Sequence, residues 1–412
     1  MVARSWENLE EEQMLRSIRV SNFKSIANVP VELGRFNVLI GSNAAGKTNF
    51  VDSIRFIHDT MEDGVSSAVG RRLGWENVLT RDKDKSERIE VAIQWYPDEE
   101  AKATRRGKKT YQPVCFDYGF RVGCSRKHFL LDWEALRGRF RENGNEVEEK
   151  FERSLDRIKI SGSLLQRGPE TVLRVPRQAR GRLFLETGFF TMGSPLLGES
   201  IGAWRFYELN VNSARCPSTD VTGNTLLSDG SNLAAILDRL NETKASRRVR
   251  TQVLDTMANL IPGFQKWDTA PQFDGSLGFR IHERGISKGL LPKMISDGTI
   301  RLLCVLLVLL HGSSGASLIC IDEPERYLHP QVLGSLVEIM RNVAEKTQLI
   351  ITTQSAELVK CLRPDEVLMV DKKDKMTYVR RAEDIEMVEK FMEDFTMDEL
   401  WLGGYLKGGR IL

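Results

Sequence analysis

Apolar positions along this chain change their period more than once. Leu15, Ile18, Val20 and Phe23 alternate with polar residues and predict a strand, with a short return strand over residues 29–33. Phe36, Val38, Leu39 and Ile40 form a compact apolar run that ends at Gly41. Phe50, Val51, Ile54 and Ile57 then fall at helical spacing and predict a helix to about Met61. Strong alternation resumes over 87–96 (Ile89, Val91, Ile93, Trp95), 114–122 and 128–133, the pattern of antiparallel strands. Residues 134–160 are densely charged with few apolar anchors and predict a short hairpin or helix. From Leu226 the period turns helical through 233–237 and 246–260. A strongly apolar helix over 300–310, buried strands at 318–321 and 348–352, and a helix over 330–344 complete the pattern. Strands alternating with helices at this end argue for a parallel sheet with helices on its faces.

At 412 residues the chain exceeds one typical core, so a split domain with an insertion is expected. The division that fits the pattern is 1–98, an inserted β-rich then helical lobe over 99–285, and 286–412. Lys and Arg number 59 against 57 Asp and Glu, a net charge of +2, so any nucleic-acid surface must be local. Three clusters could supply one: Lys102, Arg105, Arg106, Lys108 and Lys109; Arg174, Arg177, Arg180 and Arg182; and Arg247, Arg248 and Arg250. No apolar run reaches the ~20 residues of a membrane span. Residues 1–13 are acidic and polar, unlike a signal peptide. Six dispersed cysteines without a C-x-x-C pair fit a reducing compartment, so a cytoplasmic protein without membrane association is expected. Cys115, Cys124 and His128 lie close in sequence, but their spacing matches no standard zinc pattern.

The strand at 36–40 runs into Gly41-Ser42-Asn43-Ala44-Ala45-Gly46-Lys47-Thr48, a complete G-x-x-x-x-G-K-T phosphate-binding loop, followed by Asn49 and the predicted helix. Its glycines let backbone N–H groups face a polyphosphate at a helix N-terminus, Lys47 reaches the β- and γ-phosphates, and Thr48 offers a hydroxyl to Mg²⁺. The buried strand at 318–321 delivers Asp322 and Glu323, a metal-supporting carboxylate followed by a candidate general base. Between these motifs, Ser296-Asp297-Gly298-Thr299 opens the apolar helix with a second anion-suited N-terminus. The strand at 348–352 ends near the polar Gln354.

In this order the motifs resemble the ABC-type ATPases related to RecF and the structural-maintenance-of-chromosomes (SMC) proteins. More narrowly, the chain resembles compact bacterial AAA-family ATPases that share this head. Phe23-Lys24-Ser25, Asp229-Gly230-Ser231-Asn232-Leu233, Asp322-Glu323-Pro324-Glu325 with Leu328-His329-Pro330, Thr353-Gln354-Ser355, and Met397 to Trp401 with Gly403-Gly404 carry the likeness. It implies an α/β, ABC/RecF-like P-loop NTPase head with an inserted mixed antiparallel β plus helical lobe. It further implies ATP and Mg²⁺ sandwiched between two protomers. Ser296 and Gly298 would then contact the γ-phosphate of the opposite subunit, His329 would line the seam, and Gln354 would sense the γ-phosphate. Many relatives carry histidine at that last position, and the signature lacks the fuller L-S-G-G-Q form of transporters. Glu76 or Asn77 beside Trp75 is the candidate for a further Mg²⁺-holding loop residue.

The resemblance points to an ATP-hydrolysing homodimeric or higher-order switch. It would act with DNA or an effector such as a nuclease or toxin, in genome maintenance or phage defence. The alternative is a regulatory protein-interaction ATPase that restrains or triggers an effector without touching DNA. The stretch after Ser355 is expected to be too short for an attached nuclease domain. The charged middle is likewise too short for long cohesin-like arms.

Overall fold

In the computed structural model, strands drawn from between Met14 and Arg174 build one large antiparallel sheet. The described residues are 14–81, 87–97, 104–106, 109–125, 128–162, 170–175, 181–187, 191–219, 223–383 and 388–406. The chain folds as two units. One comprises Met1–Gly34, Ala44–Trp204 and Val370–Arg380; the other comprises Arg35–Asn43, Arg205–Met369 and Arg381–Leu412.

In the first unit the sheet order runs Glu170–Arg174, Arg157–Gly162, Asn145–Ser154, His128–Glu142, Lys109–Ser125, Ile89–Tyr96, Met14–Ser21 and Val31–Glu32. Its inner face buries Ile18, Val20, Val91, Ile93, Trp95, Phe116, Phe120 and Phe140. Phe116 packs at a tilt against Trp95 and edge-on against Phe140, at centroid separations of 5.4 and 5.6 Å. The charged stretch after Glu134 is neither short nor helical. It is a long hairpin that turns at Asn143-Gly144, both at positive φ. Its inward positions include ionisable side chains: Glu134 stands opposite Arg153 and Glu149 opposite Gly138.

Helix Lys47–Gly70 belongs to the same unit and buries Phe50, Ile54, Ile57 and Met61 along one stripe. It runs beyond the predicted end at Met61, with a non-helical kink at Gly64, φ 80°.

The second unit is built on parallel strands. Leu318–Asp322 pairs with Gln348–Thr353, which pairs with Phe36–Ile40, which pairs with the start of Val367–Lys373. The first three are buried almost throughout, as parallel strands covered on both faces must be. Helices Asp297–Leu307 and Pro330–Ala344 pack into the same core through Ile300, Leu303, Leu307, Leu333, Leu336 and Met340. The hairpin of Phe264–Pro271 and Leu277–Glu283, which the apolar period does not predict, buries Phe264, Trp267 and Ile281 there too. No helix among the described residues is long and apolar enough to cross a membrane.

Candidate functional site

Parallel register decides which residues meet at the carboxyl edge of the second unit's sheet. Asp322 stands opposite Thr352, and Ile40 opposite Thr353. The strand that enters the phosphate loop therefore ends level with the strand that delivers Asp322-Glu323, with Thr352-Thr353 between them. Gly41, Ser42 and Asn43 begin the loop from this edge, where ligands of open α/β sheets bind.

Side chains at the edge are tied together. The Thr352 hydroxyl donates to Asp322 Oδ1, and Gln354 Nε2 donates to Glu323 Oε1. Asp322 and Glu323 are half-buried and Gln354 is exposed. Hard carboxylate oxygens such as those of Asp322 suit Mg²⁺. Glu323 adopts φ 43°, the left-handed region, which costs a residue bearing a Cβ about 1–2 kcal/mol. Its amide is fixed by the Thr352 carbonyl at 3.0 Å.

Glu325 is buried, and burial pushes its carboxyl above the usual carboxylate range, against the hydrogen bond from the Thr353 hydroxyl. Arg301, only 2% exposed, sits one turn into helix Asp297–Leu307. Burial draws its guanidinium below the ordinary arginine value. It donates from Nη2 to the carbonyls of Asp322 (2.8 Å) and Glu323 (2.5 Å), and from Nη1 to that of Leu209.

In the first unit the rest of the loop enters helix Lys47–Gly70. Ala44 and Gly46 lie at positive φ, 61° and 111°. A Cβ on Gly46 would collide with the Thr377 side chain, so glycine is required on two counts. Thr377 Oγ1 donates to the Ala45 carbonyl (2.8 Å) and pairs with Ser25 Oγ (2.8 Å), which accepts from Asn49 Nδ2 (2.8 Å). This chain of bonds braces the loop. The helix cap is Gly46 itself, with no capping side chain, and no acidic residue occupies the first turn. A phosphate chain suits such a helix start. Lys47 is buried and Thr48 exposed. Nearby, Lys24 pairs with Asp52 at 2.7 Å, and Arg72 bridges Asp52 and Asp59.

Ser296 caps helix Asp297–Leu307, its Oγ accepting from Thr299 N at 3.1 Å. Arg215 holds the preceding turn by pairing with Asp297 and donating to the Pro292 and Ile295 carbonyls. A Cβ on Gly298 would lie 2.6 Å from the Tyr327 carbonyl, so glycine here permits close passage of the loop that follows Glu325. His329 caps helix Pro330–Ala344, with Nδ1 accepting from Gln331 N. Asp229 to Asn232 acts as a buttress. Asn232 bonds Leu227 N and the Thr225 carbonyl, and the Asp229 carbonyl accepts from Asn210 N. Asn77 donates to the Leu73 carbonyl, 2.9 Å.

Thr377, Thr352 and Arg301 have no motif of their own; only strand register and long-range contacts single them out. The basic clusters fare unevenly. Lys102, Lys108, Arg177 and Arg180 lie outside the described residues, as do the side chains of Arg105, Arg106 and His128. Lys109 pairs with Glu142, Arg247 bonds the Asn241 and Glu242 carbonyls, and Arg250 stacks over Trp267 at 5.2 Å. Cys115 is buried, and burial pushes its thiol up to about 11.

A family model described as "AAA domain, putative AbiEii toxin, Type IV TA system" matches residues 36–360. The DNA replication and repair protein RecF from two strains of Porphyromonas gingivalis is 30% identical over 105 residues, 24% of this chain. The match spans only 28% of the length of those curated relatives. A solved SMC head bound to the C-terminal winged-helix domain of ScpA aligns with 89% of this chain and 97% of its own, at 14% identity and TM-score 0.53. An SMC head with an extended coiled coil, bound to the C-terminal domain of ScpA from Pyrococcus furiosus, aligns with 93% and 100%, at 13% identity and TM-score 0.53. At such identities the likeness is one of fold: this chain has the P-loop ATPase fold of SMC heads.

Proposed function

The chain belongs to this AAA-domain family of RecF- and SMC-like ATPases, and we propose on that footing that it is an ATP-binding and ATP-hydrolysing switch working as a homodimer or higher oligomer. The observation that carries the reading is the shared carboxyl edge of Phe36–Ile40, Gln348–Thr353 and Leu318–Asp322, which brings the start of the phosphate loop level with Asp322-Glu323. In this mechanism the loop from Gly41 to Thr48, with Asn49, cradles the phosphates, and Lys47 offsets their charge. Mg²⁺, held by Thr48 and Asp322, would neutralise the β- and γ-phosphate oxygens. Glu323 takes a proton from water as its oxygen bonds to the γ-phosphorus and the bond to the leaving ADP oxygen breaks. Gln354, bonded to Glu323, is suited to report whether the γ-phosphate is present.

Ser296 and Gly298 complete the partner's site in this reading. Exposed Met294 and Tyr327, 65% and 54% accessible, flank that segment and suit a surface that a second protomer covers. The switch acts with DNA or with a nuclease or toxin effector, in genome maintenance or phage defence. The intramolecular partners of Lys109, Arg247 and Arg250 favour a second reading, a regulatory ATPase that controls its effector without touching DNA.

Steady-state turnover tests the chemistry. Lys47→Ala should abolish nucleotide binding or turnover. Glu323→Gln should bind ATP and stall; hydrolysis at the wild-type rate would remove Glu323 as the base. DNA binding followed across a salt titration separates the two readings. Affinity that falls with salt and with charge reversal in the clusters supports direct contact, and absent affinity supports the regulatory module.

A further inference from the structure

Glu323 occupies a backbone region that a residue with a Cβ rarely visits, with φ 43°. Such a conformation persists where the surroundings over-determine it, and it is found at functional sites. Here a single side chain supplies much of the constraint. Arg301 Nη2 donates to the carbonyl before the strained residue's φ bond and to the carbonyl after its ψ bond, those of Asp322 and Glu323. On the other side Thr352 holds the Glu323 amide. Arg301 Nη1 anchors the fork to the Leu209 carbonyl, so the guanidinium plane cannot swing. No described residue forms a salt bridge with this buried cation, although Asp322 and Glu325 lie near enough to favour its charge. Packing alone does not call for a guanidinium here, since an apolar side chain of similar volume would fill the space without the desolvation cost.

We propose that Arg301 is a positioning residue for ATP hydrolysis: by fixing the two peptide planes around Glu323 it aims that carboxylate at the attacking water. The inference rests on Glu323 being the general base. Loss of the clamp frees the Asp322-Glu323 turn to relax toward ordinary backbone angles and carries the carboxylate away. Nucleotide binding, a task of the phosphate loop, is left in place. Lysine at this position has a compact head without the planar fork and can serve the carbonyls only in part.

The test compares Arg301→Lys and Arg301→Met with wild type in kcat, KM, Kd for a fluorescent ATP analogue and melting temperature, and places Arg301→Lys in the Glu323→Gln background. We expect kcat to fall at least about tenfold in Arg301→Met and less in Arg301→Lys, with Kd within about twofold of wild type. In the Glu323→Gln background Arg301→Lys should cause no further fall, because the arginine acts through the residue already removed. Wild-type kcat in both folded variants would overturn the proposal. So would an equal loss of affinity and turnover, or a full additional loss in the double variant. Failure of both variants to fold would assign Arg301 to the fold alone. If Glu323→Gln itself turns over like wild type, the base assignment fails and this inference fails with it. A stalled Glu323→Gln beside active Arg301 variants refutes Arg301 only.

Discussion

Thr377 touches the phosphate loop at its most constrained point. Its hydroxyl links the Ala45 carbonyl to Ser25, and its side chain fills the space that a Gly46 Cβ would need. Thr377→Val keeps the shape and removes the hydroxyl. ATP affinity should fall by about tenfold, the worth of one or two net hydrogen bonds, with little change in melting temperature. Isothermal titration checks this, and unchanged affinity would mean that the loop holds its shape without the brace. Glu325 makes a pH-dependent prediction at the same scale. Burial raises its carboxyl in the folded chain, so its stability is fully present below the unfolded value of about 4.3 and is lost as pH rises through the folded value. Glu325→Gln should therefore match wild-type stability near pH 4 and exceed it progressively toward neutral pH. Denaturant melts across that range give the difference, and a gap independent of pH would contradict the buried, raised carboxyl.

Among the elements, the long hairpin of His128–Glu142 and Asn145–Ser154 does more than extend the sheet. Glu149 accepts from the backbone N–H groups of Met192 (2.9 Å) and Gly193 (2.6 Å), and so pins the start of helix Gly193–Gly202. Glu134 receives Phe184 N, Leu185 N and the Tyr118 hydroxyl, with Arg153 opposite. Glu149→Ala strands two buried donors and should cost about 2–4 kcal/mol in urea unfolding, whereas a cost below 1 kcal/mol would show that the pin is idle. These same glutamates explain why the hairpin was hard to read from sequence. Its inward row holds Glu134, Glu149 and Arg153 among Leu136, Phe140 and Phe151, so a binary apolar pattern misses half of the alternation. Strands 36–40, 318–321 and 348–352 were legible because both of their faces are buried and their ends carry motif residues. Helix Lys47–Gly70 was legible only to about Met61, short of the kink at Gly64 after which the helix resumes. Arg301, Thr352 and Thr377 were not legible, because their partners lie far away in sequence and no local spacing points to them.

For the molecule as a whole, the chain is a member of an ATPase family, and the proposed function has its nucleotide bring two copies together. In that proposal Asp322-Glu323 and the phosphate loop would supply one side of each reaction centre, and Ser296 with Gly298 the other. Such an architecture predicts that blocking hydrolysis without blocking ATP binding traps the paired state. The most direct measurement is the solution mass of Glu323→Gln with and without Mg·ATP, by light scattering on a sizing column. The account predicts the chain mass of 46.8 kDa without nucleotide and twice that mass with it, the doubling being abolished by adding Lys47→Ala. A Glu323→Gln protein that binds ATP and stays at the mass of one chain would contradict it.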